Sequence, residues 1–531
     1  MSDFEKDQEN MNEITRGDDT QESPKQKRIS KWGVSIVSVS VILIGAILFS
    51  IFSPSVINTI ARVTLSPAKY YQKIEKANLE KQIDVLSEHY GNYIEAYQDS
   101  IDNGTSTETS ISTALDSTIT TNLGLTGLNN IQATILSSSL GLNSKASISF
   151  ACNDKDITSL DYYLDLDKED FFIKVPDLNS AYLKTSFTNA AMEPAPFRTK
   201  DIYEFFDNNS LTEELLNKLL KKYSIMAIEE VHNVIVKNGE KVTADNISSD
   251  YTKLTVEIDE KTSLSIADKI LKTAKSDDEL RDLFVKLKIY TKEEYETLIQ
   301  DSLNDIAAEE ANISDEDIII MTVWIDNKGN IMGRDFSYTE GKEKNSFGYK
   351  SVRNGTDLGI EAWLTTEGIE ILSGKGTLKL SLNGASGDVK FSYNDQSYGT
   401  PHIFNLSMKD VKSQYRDSIH YLDGTFTITS ETLSAINVTT SFSSKEKQQD
   451  IVIDVVQGGV NLANISIASK YTPFSSFEMP KETDTVYDAD TELNEYLSTA
   501  RIEEYLKDIN EKINVEGINS IIDSILYSYS Y

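Results

Sequence analysis

Alternation with a period of two constrains this chain more than any other feature. Thr377-Leu378-Lys379-Leu380-Ser381-Leu382, Thr425-Phe426-Thr427-Ile428 and Ile451-Val452-Ile453-Asp454-Val455 set apolar side chains against Ser, Thr, Lys or Asp. A strand points successive side chains to opposite faces, so the pattern gives one apolar face and one wet face. That is the behaviour of antiparallel sheet. From about 315 to 472 the chain reads as strand after strand. Ile318-Ile319-Ile320-Met321-Thr322-Val323-Trp324-Ile325 runs into Asp326-Asn327-Lys328-Gly329-Asn330, a hairpin turn. A second β region covers 104–199. Ala146, Ile148, Phe150 and Cys152 alternate with small residues, and 162–166, 167–170 and 171–175 read as strand, turn and strand. The Pro-rich link Glu193-Pro194-Ala195-Pro196 closes it.

Between and around these regions the period changes. Ser66 is a good N-cap and Pro67 suits the first helical position. A stripe through Leu79, Ile83, Leu86, Tyr90, Ile94, Tyr97 and Ile101 then predicts one long helix over 66–102. Two readings of the stripe stay open: it packs on the chain's own sheet, or it pairs two copies as a coiled coil. The 200–312 region mixes helices with a strand at 254–258, and Thr291 is placed to cap the helix from Lys292. The C-terminal 481–531 is helical, its first helix marked by Leu493, Tyr496, Leu497, Ala500, Ile502, Tyr505, Leu506 and Ile509.

Near the start lies the apolar run 34–52, VSIVSVSVILIGAILFSIF, without a charge. As a helix it covers roughly the ~30 Å core of a bilayer. Val34, Ile36, Val41, Ile42, Leu43, Ile44, Ile47, Leu48, Phe49, Ile51 and Phe52 form the expected membrane anchor, and 33–53 is the stretch in contact with lipid. Lys25, Lys27, Arg28 and Lys31 precede the run, and the next charge after it is Arg62. By the positive-inside rule the N-terminus is cytoplasmic and the body extracytoplasmic. Ser53 and Ser55 suit a leader peptidase, but the run is longer than a usual signal-peptide core. The expected order is a disordered tail 1–31, a signal anchor 32–53, a membrane-proximal helix 54–103, a β region 104–199, a mixed region 200–312, a β region 313–480 and helices 481–531.

Net charge is −33. Such a chain is repelled by nucleic acid, which excludes it as a partner. Cys152 is the one cysteine, so no internal disulfide staples the fold. His89, His232, His402 and His420 stand far apart, with no zinc-binding spacing. No nucleophile elbow, P-loop or dinucleotide fingerprint is present. Asp326-Asn327-Lys328-Gly329-Asn330 lacks the third-position acid and the distal Glu of a calcium loop. Asp484, Asp488 and Asp490 read as a solvated acidic linker. The sequence thus assigns no catalytic, cofactor or metal residues and no enzyme activity.

The segment Leu65-Ser66-Pro67-Ala68-Lys69-Tyr70-Tyr71 before a long helix, then hairpins with Ile173-Lys174-Val175-Pro176-Asp177-Leu178 and Tyr182, resembles uncharacterised membrane-anchored surface proteins of Gram-positive bacteria. That resemblance covers most of 30–480 and brings no activity or site residues. The element order is also similar to the lipoprotein-carrier half-barrels, whose curved sheet wraps an apolar ligand against plugging helices. This chain is longer and tethered. The expected fold is α+β and β-dominated, with large curved antiparallel sheet and packed helices behind one transmembrane helix. The expected function is a non-enzymatic, membrane-tethered extracytoplasmic binding or carrier module for an apolar or envelope-derived ligand. Two alternatives stand beside it: a structural cell-surface protein, dimeric through 66–102, and an envelope hydrolase without a recognisable motif.

Overall fold

The chain enters its folded body at Ser66, whose hydroxyl accepts the Lys69 amide at 3.4 Å and starts helix α1 (Pro67–Asn103). The computed structural model describes residues 62, 65–186, 204–206, 208, 210–310, 318–340, 343–394, 401–416, 419–430, 435–443, 445–513 and 515–529. The anchor run 34–52, its flanking basic residues and the Pro-rich link lie outside them. Among the described residues no helix is long and apolar enough to cross a membrane.

After α1 come β1 (Thr105–Leu115), the short α2 (Ser117–Asn122), β2 (Asn130–Leu140), β3 (Asn143–Cys152), β4 (Lys155–Asp165), β5 (Asp170–Lys174) and β6 (Tyr182–Ser186). Helix α3 (Glu213–Glu229) precedes β7 (Val234–Ala244) and β8 (Ile247–Asp259). Helices α4 (Glu260–Lys275), α5 (Asp278–Lys286) and α6 (Lys292–Glu310) follow. Then eleven strands run in succession: β9 (Ile318–Ile325), β10 (Ile331–Glu340), β11 (Glu343–Asn354), β12 (Asp357–Thr366), β13 (Ile369–Ser381), β14 (Gly384–Tyr393), β15 (His402–Arg416), β16 (Ile419–Ser430), β17 (Ala435–Ser443), β18 (Gln448–Gln457) and β19 (Val460–Thr472). The chain ends with β20 (Val486–Asp488), α7 (Leu493–Thr499), α8 (Ile502–Ile513) and α9 (Glu516–Tyr529).

The two β regions are one sheet. Each is an antiparallel meander, β1 to β6 and β7 to β19, and the pairing of β1 with β19 joins them. Ser106 lies opposite Thr472 and Leu115 opposite Ala463, ten rungs without a bulge. The order across the sheet runs β20, β6 back to β1, then β19 back to β7. Only β20 on β6 is parallel.

Helices α1 and α3 lie side by side. Gln72 donates to the Glu229 and Val231 carbonyls at 3.0 Å, and the Tyr90 hydroxyl to Leu211 O at 2.7 Å. Ile83 and Ile94 are buried within the chain. The long helix therefore spends much of its stripe on its own body. Helix α6 packs on α4 around Ala274, Tyr295 and Ile299, and Thr291 and Glu294 form the reciprocal cap at its start. The β7–β8 hairpin folds over β11 and β12, enclosing Val242, Ala244, Tyr251 and Val352. A Cβ on Gly359 would sit 2.2 Å from Ala244 O, so only glycine admits that approach.

One sequence expectation is corrected. The apolar series from Leu493 to Ile509 is not one helix, because Ala500 is extended at ψ 144°. The Asn179 amide donates to Tyr496 O and Thr499 Oγ1, and the Arg501 amide to Leu178 O. Those distant contacts draw the backbone out of the helix between α7 and α8. Helices α8 and α9 then cover one end of β1–β4, with Val515, Leu128, Ile157 and Cys152 in a common core.

Candidate functional site

The registers place one face of the sheet on a single uncharged track. A rung runs from Leu358 through Leu378, Met408, Phe426, Val438, Ile453 and Ile465 to Cys152, crossing eleven strands. Gly387, Thr113 and Ile131 complete it. The next rung passes from Ile360 through Val389, Leu406, Ile428 and Ile436 to Leu115. Neither rung holds an Asp, Glu, Lys or Arg. The same strands carry their charges on the other face, as with Lys375, Lys390, Asp388, Asp454 and the Glu108–Lys470 pair at 3.0 Å. In a chain with 25% charged residues, that division is a property of the face and not of composition.

The apolar face is the concave one. Helix α1 meets the sheet toward both of its ends. Near its start, Arg334 of β10 donates to both Glu75 carboxylate oxygens, at 2.7 and 2.5 Å. Near its end, Ile101 O accepts the amide of Gly141 in the β2–β3 turn at 3.1 Å. The 26 helical steps from Glu75 to Ile101 span about 39 Å at ~1.5 Å each. Along the sheet, β10 and β2 are eleven strands apart, roughly 53 Å at ~4.8 Å per strand. The helix is the chord of a curved sheet. Gly376 and Gly387 allow part of the bend: a Cβ on either would lie 2.0 or 2.1 Å from a carbonyl oxygen of the neighbouring strand.

Helix α1 contacts the sheet only in part of its length. Tyr93 lies eighteen residues beyond Glu75, five full turns, and Leu86 about three turns. Both point as Glu75 does. Glu75 is 3% exposed, yet Leu86 is 39% and Tyr93 57% exposed. Beneath them the helix stands off the sheet. Strands β13–β18 have their extensive contacts only with neighbouring strands, and Leu372, Phe391 and Tyr393 keep 39–47% of their surface. A concave apolar face, crossed by one helix that presents Leu86 and Tyr93 to it, is the strongest site-like feature among the described residues. It can hold aliphatic material.

The Glu75–Arg334 pair is nearly sealed from solvent. Burial opposes the Arg334 cation, but the carboxylate beside it outweighs that cost and holds its pKa above the usual value. The Tyr71 phenol next to them is raised by burial first and by Glu75 second. On the opposite face, Lys350 sits 5.5 and 4.8 Å from the Trp324 and Trp363 rings. Burial raises the carboxyl of Asp335 there, partly offset by Lys344, Lys350 and the Trp363 indole. Tyr71 and Glu75 lie one helical turn apart and Arg334 and Asp335 are adjacent, but Glu75 and Arg334 are 259 residues apart, so no local motif marked their pairing.

The residues weighed from sequence fall elsewhere. Asp326 accepts the Lys328 and Asn330 amides at 2.8 Å, a hairpin turn. Asp488 accepts the Asp490 and Thr491 amides, and Asp484 the Lys481 amide. Among the described residues no group of acids, His or Cys is arranged to hold a metal. Cys152 is buried, and burial pushes its thiol pKa up. A shallow depression on α1, lined by Lys69, Gln72, Lys73, Lys76, Ala77 and Glu80, belongs to one helix surface, where Lys76 pairs with Glu229. Neither a family model nor a curated protein matches this chain.

Proposed function

We propose that this chain is a non-enzymatic, membrane-tethered extracytoplasmic binding or carrier module that holds an apolar, envelope-derived ligand against its concave face. One observation carries the reading: two adjacent uncharged rungs cross the sheet, and over β13–β18, where no helix packs extensively, Leu372, Phe391 and Ile428 on the same face stay part-exposed beside the buried Leu378 and Val389. Contiguous apolar surface of this extent marks an interaction site on a soluble body. The likeness in layout to the lipoprotein-carrier half-barrels supports it as analogy only. The anchor at 34–52 and the basic residues before it supply the tether and its orientation in this reading.

A photoreactive residue at Ile453 of the full chain, in its own membrane, tests it. Irradiation is expected to add a small lipid-sized mass at Ile453 and none when the probe replaces Asp454 on the other face. A polypeptide adduct at Ile453, or equal labelling at both positions, overturns the carrier reading in favour of a structural surface protein.

A further inference from the structure

Resting on that reading, we infer that the ligand is an amphiphile with an uncharged polyhydroxyl headgroup, a neutral glycolipid in its chemistry, seated at the foot of α1. The apolar face is not uniform along its strands. On β1, the face that carries Ile111 and Leu115 at one end carries Thr107 and Thr109 at the other. Ser137 stands opposite Thr107, and Ser469 opposite Thr109. Tyr471 extends the group onto β19, and Gln449 of β18, whose amide donates to Thr440 Oγ1 and Ser441 O, closes its edge. All six lie on the concave face, within a few residues of the point where Asn103 ends the helix and Ile101 meets Gly141.

These side chains are polar without a charge among them. On the reverse face of the same strands stand Glu108 and Lys470. Among these six side chains a phosphate or carboxylate headgroup finds no Lys or Arg, and an amine no Asp or Glu. Either would lose its hydration without a counter-charge. A sugar or glycerol headgroup asks only for hydroxyl partners. Thr107 and Ser137 are 2.6 Å apart and Thr109 and Ser469 2.9 Å, each pair using one of the hydroxyls' hydrogen atoms. Each pair keeps a second donor and spare lone pairs. Tyr471 is 46% exposed and adds a phenol to the edge. The aliphatic chains would then run from this belt along Ile111, Ile467 and Ile451, which share one rung.

The test offers the purified full chain vesicles with equal amounts of glucosyl-diacylglycerol, plain diacylglycerol and phosphatidylglycerol, then identifies recovered lipid by mass spectrometry. Glucosyl-diacylglycerol should exceed each of the others by about tenfold, the effect of one or two net hydrogen bonds. The double variant Thr109→Val, Ser137→Ala should retain diacylglycerol and lose the preference. Recovery led by phosphatidylglycerol, or a preference unchanged in the variant, overturns the headgroup assignment and leaves the carrier reading standing. Recovery of no lipid class overturns both.

Discussion

Two sectors of one sheet share the same alternation and meet different fates. Under α1, strands β8–β10 are closed: Leu254, Val256 and Val323 are fully buried, and the Glu75–Arg334 pair sits among them. Across β13–β17, Leu372, Phe391, Tyr393 and Ile428 on the same face keep 37–47% of their surface, although Leu378 and Val389 beside them are buried. Sequence composition does not separate the two. What separates them is the reach of the helices, which pack toward both ends of the sheet, with α1 at β10 and α8 and α9 at β1–β4, and make no extensive contact with β13–β18. The closed sector should therefore tolerate substitution less than the part-exposed one.

That contrast can be broken most sharply at its centre. Glu75→Ala leaves Arg334 buried and unpaired and should cost about 3–5 kcal/mol in chemical denaturation. A cost under ~1 kcal/mol would mean the helix is not anchored there. Next in size, Leu254→Ala should destabilise by about 2–5 kcal/mol, whereas Phe391→Ala, half-exposed, should cost roughly 1 kcal/mol or less. Equal losses would erase the difference between the sectors. Ile453→Asn probes the concave face from the other side. Its stability change should stay near ~1 kcal/mol while binding of an apolar fluorescent probe falls several-fold. Unchanged probe binding would place the apolar surface elsewhere.

The smallest effect concerns pH. The folded state holds Asp335 at a raised pKa, so this residue favours folding in acid and its contribution is lost as pH rises above the ordinary carboxylate range. Asp335→Asn should therefore raise the unfolding midpoint slightly at pH 7, with the gain vanishing below about pH 4. A gain independent of pH would exclude the carboxylate as its source.

Much of the architecture was legible in local pattern. Strand alternation located the two meanders, Ser66 and Thr291 marked helix starts, and the turn at Asp326 was readable from its residues. What joins distant pieces was not. Glu75 and Arg334 are 259 residues apart, and nothing in the neighbourhood of either announces the other. The break at Ala500 depends on Leu178 and Asn179, more than three hundred residues upstream. The concave face was foreshadowed by the one-sided alternation, but its continuity across eleven strands needed the registers. The hydroxyl belt was invisible, because Thr107, Thr109 and Ser137 read in sequence as ordinary wet-face residues until their side of the sheet is known.

The seam between β1 and β19 has a consequence for how such a chain comes into being. Residues 105–115 must wait for 463–472 before their ladder can close. A ribosome or translocation channel releases the first meander long before its partner exists. Through that interval β1 is a bare sheet edge beside a growing apolar surface, the arrangement most prone to wrong pairing. Closure of the sheet is therefore expected only after the final strand of the second meander has emerged. Truncation anywhere before residue 472 should leave an aggregating product rather than a shorter working one.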